Sequence, residues 1–283
     1  MPVSDRPSLR QARRCAFALV LALVGACKSE QSSAAPRDTT AATPSAPSAP
    51  AGTPTYGYTV VATVPHDPTA FTEGLFIKDG KVYEGTGLEG KSDIRRWDLN
   101  TGAIELRREI PAPYFGEGIS IVGDKLYELT WKQGKAFVYD AKTFQPKDTL
   151  SYYGQGWGMT TDGESLYMTD STSRIRVLDP KTFAVKRTID VHDGTSPVSM
   201  VNELEWYKGE LLANVWQSNQ IARIDPKTGA VTGWIDLTGI LAPADKNGNE
   251  DVLNGIAYDS AADKLYVTGK NYSKMYQITL QRR

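Results

Sequence analysis

The sequence predicts an all-β domain folded as a five-bladed β-propeller, and three observations carry that expectation. From Tyr58 onward, short β-branched and aromatic runs alternate with turns built on Gly, Asp, Asn and Pro, uninterrupted by a long run of helical period. One strand start recurs five times: Lys81-Val82-Tyr83, Lys125-Leu126-Tyr127, Ser165-Leu166-Tyr167, Glu210-Leu211-Leu212 and Lys264-Leu265-Tyr266. The spacing, roughly 40–54 residues, is the period of a four-stranded blade. The fifth unit ends after Met275 to Leu280 without a fourth strand, while Tyr58 to Val64 precedes the first unit as a spare one. Pairing the two closes the ring and removes the open sheet edges that invite aggregation.

Each unit justifies its elements in the same order. An inner strand meets a tight turn, such as Lys78-Asp79-Gly80 or Val122-Gly123-Asp124, and the recurring strand follows. A third strand leads into an Asp-x-x-Thr turn at Asp98, Asp140, Asp179 and Asp225. There the Asp carboxylate can accept from the backbone two residues on, which makes a hairpin on mechanical grounds. Fourth strands are expected at segments such as Ile104 to Ile110 and Val185 to Val191.

The N-terminal part reads differently. Arg6, Arg10, Arg13 and Arg14 precede the apolar run Ala16 to Ala26, which is too short to span a bilayer as a mature helix. It ends in Leu23-Val24-Gly25-Ala26-Cys27, a lipoprotein-type signal whose Cys27 thiol would take the lipid. Residues 28–54 are rich in Ala, Pro, Ser and Thr and cannot bury a core, so they read as a disordered tether. The expected organisation is a signal over 1–27, a tether over 28–54 and a propeller over 55–283. The expected location is outside the cytoplasm, on the membrane through the lipid alone. Beyond the signal there is no cysteine, so no disulfide supports the domain. Net charge is -1 for the whole chain, and no basic stripe suggests nucleic acid. A closed propeller leaves no edge for dimerisation, and a monomer is expected.

Registering the units picks out the residues that face the centre. Eight positions ahead of the marker stand Glu73, Glu117, Trp157 and Asn202, and Asn254 is equivalent once a longer turn is allowed for. These are inner-strand positions and inner strands line the channel. Six positions after the marker stand Gly87, Trp131, Ser171, Trp216 and Lys270, where the second strands end. Because the two strands form a hairpin, both rings converge on one end of the channel. Single polar residues in such channels often serve only to bind water, and tryptophans at blade ends often only pack. Three tryptophans, two glutamates, two asparagines and a lysine on ten matched positions instead describe a small-molecule cavity. Glu117, between two glycines in Phe115-Gly116-Glu117-Gly118-Ile119, is the residue least at home in a strand.

Other chemistry is poorly supported. His66 and His192 are the only histidines and have no metal-ligand spacing, so no metal site is expected. The oxygen-rich stretch Asp245 to Asp251 lacks the order of an EF-hand and reads as a solvated loop. Gly85-Thr86-Gly87 with Gly90 lacks the strand-to-helix setting of a dinucleotide site.

The chain resembles the plant and bacterial type of glutaminyl-peptide cyclotransferase. The matching segments, from Tyr58 to Leu280, are Pro65-His66-Asp67-Pro68 with Ala70-Phe71-Thr72, Phe115-Gly116-Glu117-Gly118, Gly156-Trp157-Gly158, Asn202-Glu203-Leu204-Glu205, Trp216 after Ala213-Asn214, Val252-Leu253-Asn254-Gly255-Ile256-Ala257 and Val267-Thr268-Gly269-Lys270. The resemblance implies cyclisation of an N-terminal Gln of a peptide or protein to pyroglutamate with loss of ammonia, without a required cofactor. It implies Glu117 as general acid/base, with Trp131, Trp157 and Trp216 as walls and Asn202, Asn254 and Lys270 as polar pocket positions. Plant members have Gln at the position of Glu73, so a second carboxylate, either proton partner or ammonium binder, is expected here. Relatives often have Arg-Leu where this chain has Met200-Val201. Two other readings stay open: an exported propeller that only binds peptide N-termini, and a metal-dependent propeller hydrolase using Glu73 and Glu117.

Overall fold

The computed structural model describes residues 52–283, and its strands form five four-stranded antiparallel blades. The expected signal, Cys27 and most of the tether lie outside the described residues. Blade 1 runs through Thr72–Lys78, Lys81–Thr86, Asp93–Asp98 and Ile104–Glu109, and blade 2 through Gly116–Val122, Lys125–Thr130, Lys135–Asp140 and Pro146–Ser151. Blade 3 has a shortened inner strand, Met159–Thr161, followed by Leu166–Thr169, Arg174–Leu178 and Val185–Asp190. Blade 4 comprises Val201–Tyr207, Glu210–Val215, Gln220–Ile224 and Val231–Asp236.

Blade 5 closes the ring as the sequence predicts. Its strands Leu253–Asp259, Lys264–Gly269 and Lys274–Arg282 are completed by Thr55–Pro65, with Tyr58 opposite Leu280 and Val64 opposite Met275. The start of the closing strand also pairs in parallel with blade 4 through Thr55 and Trp234, so blades 4 and 5 share one sheet. The Asp-x-x-Thr turns form for the expected reason. Asp98 Oδ1 accepts from Asn100 N at 3.1 Å and Thr101 N at 3.0 Å, and Asp140 and Asp179 repeat the pattern. A small extra hairpin, His192–Asp193 with Ser196–Pro197, stands between blades 3 and 4 and was not expected.

Cores lie between neighbouring blades. Leu75, Val82 and Trp97 of blade 1 pack on Tyr266 and Met275 of blade 5, and Ile175 and Val177 of blade 3 on Leu211 and Ile224 of blade 4. Each such side chain, once buried, contributes about 2–3 kcal/mol relative to exposure. Toward the axis the inner strands approach closely because glycine follows the ring position in four blades. A Cβ on Gly158 would stand 2.1 Å from the Asn202 carbonyl oxygen, and one on Gly118 2.4 Å from Met159 N. The fifth equivalent is Glu203, whose carboxylate reaches across the axis to Leu75 N at 3.3 Å and Ile256 N at 2.9 Å. This tie joins three blades beneath the site.

Candidate active site

A cavity of about 410 Å³ opens at the end of the channel where the two rings were expected to meet. Glu73, Glu117, Trp131, Trp157, Asn202, Trp216 and Lys270 all line it. The inner strands reach it through irregular pairing: register shifts fall between Thr72 and Gly74, Gly116 and Ile119, Val201 and Leu204, and Leu253 and Ile256. Each shift coincides with a ring residue, and a bulge re-aims the side chain it carries.

Two ring positions differ from expectation. Trp157 precedes its inner strand rather than lying in it, because blade 3 begins regular pairing only at Met159. Asn254 does not line the cavity; its Nδ2 donates to the Thr72 carbonyl at 2.9 Å and to Glu73 Oε2 at 3.3 Å. It holds Glu73 from behind. Gly87 and Ser171, on the second ring, also lie outside this cavity.

Sequence reasoning left out five lining residues: Phe71, Phe115, Gln217, Asp251 and Val252. Phe71, Phe115 and Val252 each stand two positions ahead of a ring residue, so the same register would have found them. Phe71 meets Phe115 edge-on at 6.2 Å, and Phe115 meets Trp131 at 5.5 Å. Trp157 and Trp216 form an edge-to-face pair at 5.7 Å on the other side. Asp251 corrects the expectation of a merely solvated loop: it is exposed but sits on the cavity wall, because backbone bonds from Asp251 N to Lys270 O and Lys270 N to Val252 O dock its segment there. Gln217 directly follows Trp216 in the turn after Glu210–Val215, and Asp251 ends the connection between blades 4 and 5.

The electrostatics centre on two carboxyl groups and one ammonium. Glu73 and Glu117 are 2% and 5% exposed. Lys270 Nζ donates to Glu73 Oε1 at 2.6 Å and lies 4.5 Å over the Phe71 ring. Burial pushes Glu73 up to about 7 against the pull of Lys270, with Asp251's charge adding to the rise. Burial and then the charge of Glu73 push Glu117 well above the usual carboxylate range, and Lys270 only partly offsets this. Two like charges in a dry site with a single ammonium cannot both persist, so the pair retains one proton near neutral pH. It is centred on Glu117, since the ammonium is bonded to Glu73.

Hydrogen-bond donors converge on the same space. The Asn202 carboxamide makes no hydrogen bond within the described residues, although its Oδ1 is buried. Trp131 and Trp157 spend their indole N–H groups on Gln155, whereas that of Trp216 has no partner among the described residues. Lys270 is committed to Glu73. What results is an aromatic slot lined by a buried carboxyl pair and by the uncommitted donors of Asn202 and Trp216, an arrangement suited to acyl transfer at a carboxamide.

Comparison with known proteins agrees with this geometry. A family described as glutamine cyclotransferase matches residues 30–280. The chain is 42% identical over 226 residues to a glutaminyl-peptide cyclotransferase of Arabidopsis thaliana, covering 78% of this chain and 71% of that protein. The crystal structure of Myxococcus xanthus glutaminyl cyclase superposes with a TM-score of 0.76 at 29% identity, over 81% of this chain and 99% of that one. The chain belongs to the glutamine cyclotransferase family.

Proposed function

We propose that the protein cyclises the N-terminal Gln of peptides or proteins to pyroglutamate, releasing ammonia, with Glu117 as the general acid/base. The observation that carries this reading is the buried pair Glu73 and Glu117, both raised above the usual carboxylate range by burial, in a slot walled by Trp131, Trp157 and Trp216.

In this reading the substrate's α-amino nitrogen attacks its own γ-carboxamide carbon, forming the lactam C–N bond. The bond from that carbon to the carboxamide nitrogen then breaks. The amine gives up one proton and the departing nitrogen takes one, so the exchange balances within the pair: Glu117 delivers its proton to the leaving group and recovers the one lost by the amine. Glu73 carries the negative charge meanwhile, held by Lys270 and Asn254. The tetrahedral oxygen would accept from the Asn202 carboxamide and the Trp216 indole N–H. The aromatic walls hold the flexible Gln side chain folded, so that attack proceeds from a near-reacting geometry. The steps use only side chains of this chain and require no cofactor. A divalent ion at the pair would have to displace the Lys270 ammonium from Glu73, which argues against the hydrolase reading.

The N-terminal segment supports placing this activity outside the cytoplasm, with Cys27 lipidated and residues 28–54 as the tether. Mass analysis of the mature N-terminus tests that. The activity itself is tested by incubating the purified protein with a Gln-initiated dipeptide, with and without chelator, and measuring ammonia. Release that survives chelator is expected. No release above background would overturn the proposal and favour a propeller that only binds peptide ends, while loss to chelator would favour a metal mechanism.

A further inference from the structure

Two walls of the cavity are fastened to a single atom. Trp131 Nε1 and Trp157 Nε1 each lie 2.9 Å from Gln155 Oε1. An indole nitrogen only donates, so the atom facing both must be the amide oxygen, whose two lone pairs take one N–H each.

The clamp joins two indoles that the backbone carries outside regular strands. Trp131 stands one residue beyond the strand Lys125–Thr130, and Trp157 two residues ahead of the three-residue strand Met159–Thr161. The inner strands of the other four blades have seven residues and carry their ring residues within the sheet. The backbone of both residues is nonetheless tied, Trp131 N donating to the Phe115 carbonyl at 3.0 Å and Trp157 N to the Thr169 carbonyl at 3.0 Å, so what the clamp adds is the orientation of the indole rings. At the position two ahead of the ring, blades 1 and 2 have Phe71 and Phe115, which pack on the wall, whereas blade 3 has Gln155.

Gln155 is itself held. Arg176, paired with Asp170 at 3.0 Å, donates to the carbonyl of Gln155 at 3.1 Å and of Tyr153 at 2.7 Å. Gly156 N donates to the Trp131 carbonyl at 3.0 Å, and a Cβ on Gly156 would meet the Tyr152 hydroxyl at 2.3 Å. A carboxylate would accept from the same two indoles, but it would add a negative charge against two walls of the cavity that Glu117 lines. The amide does the fastening and leaves the proton balance of the pair untouched.

We propose that Gln155 is a positioning residue for cyclisation, a neutral clamp that sets Trp131 and Trp157 at the separation required to hold the Gln side chain folded; this rests on the reaction proposed above. The test compares the wild type with Gln155→Met, which keeps length and removes the acceptor, and Gln155→Glu, which keeps the acceptor and adds charge. The measurements are kcat and KM for a Gln-initiated dipeptide across pH, and near-UV circular dichroism of the indoles. Gln155→Met is expected to raise KM by about tenfold and weaken the indole signal, with the acid limb of the pH profile unmoved. Gln155→Glu should restore the indole signal and most of the KM while moving the acid limb to higher pH. Wild-type KM and dichroism in Gln155→Met would overturn the clamp, as would a lost signal that Gln155→Glu does not restore. Should Gln155→Met fail to fold, Gln155→Glu decides alone: a retained indole signal with a shifted limb supports the clamp, and an unshifted limb or a lost signal overturns it. A wild type that releases no ammonia would instead refute the reaction, and the dichroism would still decide the clamp.

Discussion

On the mechanism proposed above, replacing Glu117 by Gln keeps the shape of the side chain and removes its proton transfer. Turnover of a Gln-initiated peptide should fall by at least about 100-fold, the usual worth of a general acid/base, while the unfolding temperature stays near that of the wild type. The groups around Glu73 make a second prediction, in two opposite directions. The proposed reaction needs Glu73 ionised, so the acid limb of kcat/KM should fall near pH 7, where burial has placed that group. Lys270 lowers both carboxyl groups, so Lys270→Met should move the limb to higher pH. Asp251 raises Glu73, so Asp251→Asn should move it to lower pH. A pH–rate series on the three proteins checks both signs, and shifts in the same direction would contradict the charge arrangement.

The inner strands are the elements that create the site, and their close approach is a condition of its geometry. Gly158 faces backbone atoms of blade 4, with Asn202 O and Glu203 Cα at 2.1 and 2.7 Å from a built Cβ. Backbone cannot yield as a flexible side chain would. Gly158→Ala should therefore destabilise the domain by about 2–3 kcal/mol or more, the range seen when a packed interior is overfilled, and should displace Asn202. Denaturant unfolding gives the first quantity, and a raised KM the second. The glycine pattern was visible in the sequence as Gly74, Gly118, Gly158 and Gly255, but only the assembled ring shows what stands opposite each one.

At the scale of the whole molecule, stability depends on closing the ring, and His66 ties the closure on both sides. It follows the closing strand Thr55–Pro65, with Nδ1 2.6 Å from the Tyr272 carbonyl in blade 5 and Nε2 2.9 Å from Glu84 in blade 1. The Glu84 carboxylate also accepts from Thr72 Oγ1 at 2.7 Å and Trp97 Nε1 at 3.2 Å. Burial alone would lower the pKa of His66, but the charge and hydrogen bond of Glu84 and the Tyr272 carbonyl outweigh it and raise the group. A raised histidine contributes stability that is fully present below the unfolded value, about 6.5, and is lost as pH rises through the folded value. Glu84 is held low despite its burial, chiefly by His66, so its share is present above its unfolded value and lost in acid. His66→Gln should cost about 3 kcal/mol at pH 6, where a buried pair is broken, and less as pH rises. Urea titrations from pH 6 to 9 measure the difference, and a gap independent of pH would refute the ion pair.

Much of this protein was legible in the amino-acid chain because repetition exposes geometry. Five copies of a strand start fixed the blade count, and the missing fourth strand of the last unit predicted the closure. Counting from that marker brought Glu73, Glu117, Trp131, Trp157, Asn202, Trp216 and Lys270 to one place, since residues at one register lie at one depth in a ring. The bond partners of those residues could not be counted out, because they join positions unrelated by the repeat. Lys270 meets Glu73 across 197 residues and Asn254 meets it across 181. Asp251 enters from the connection between blades 4 and 5 and Gln217 from the turn after the second strand of blade 4, and Gln155 meets two indoles that stand at different ring positions. The sequence by itself determined that these seven side chains reach the channel mouth. Tertiary structure alone decided which of them keeps a proton, because that depends on burial and on the single ammonium that the closed ring places against Glu73.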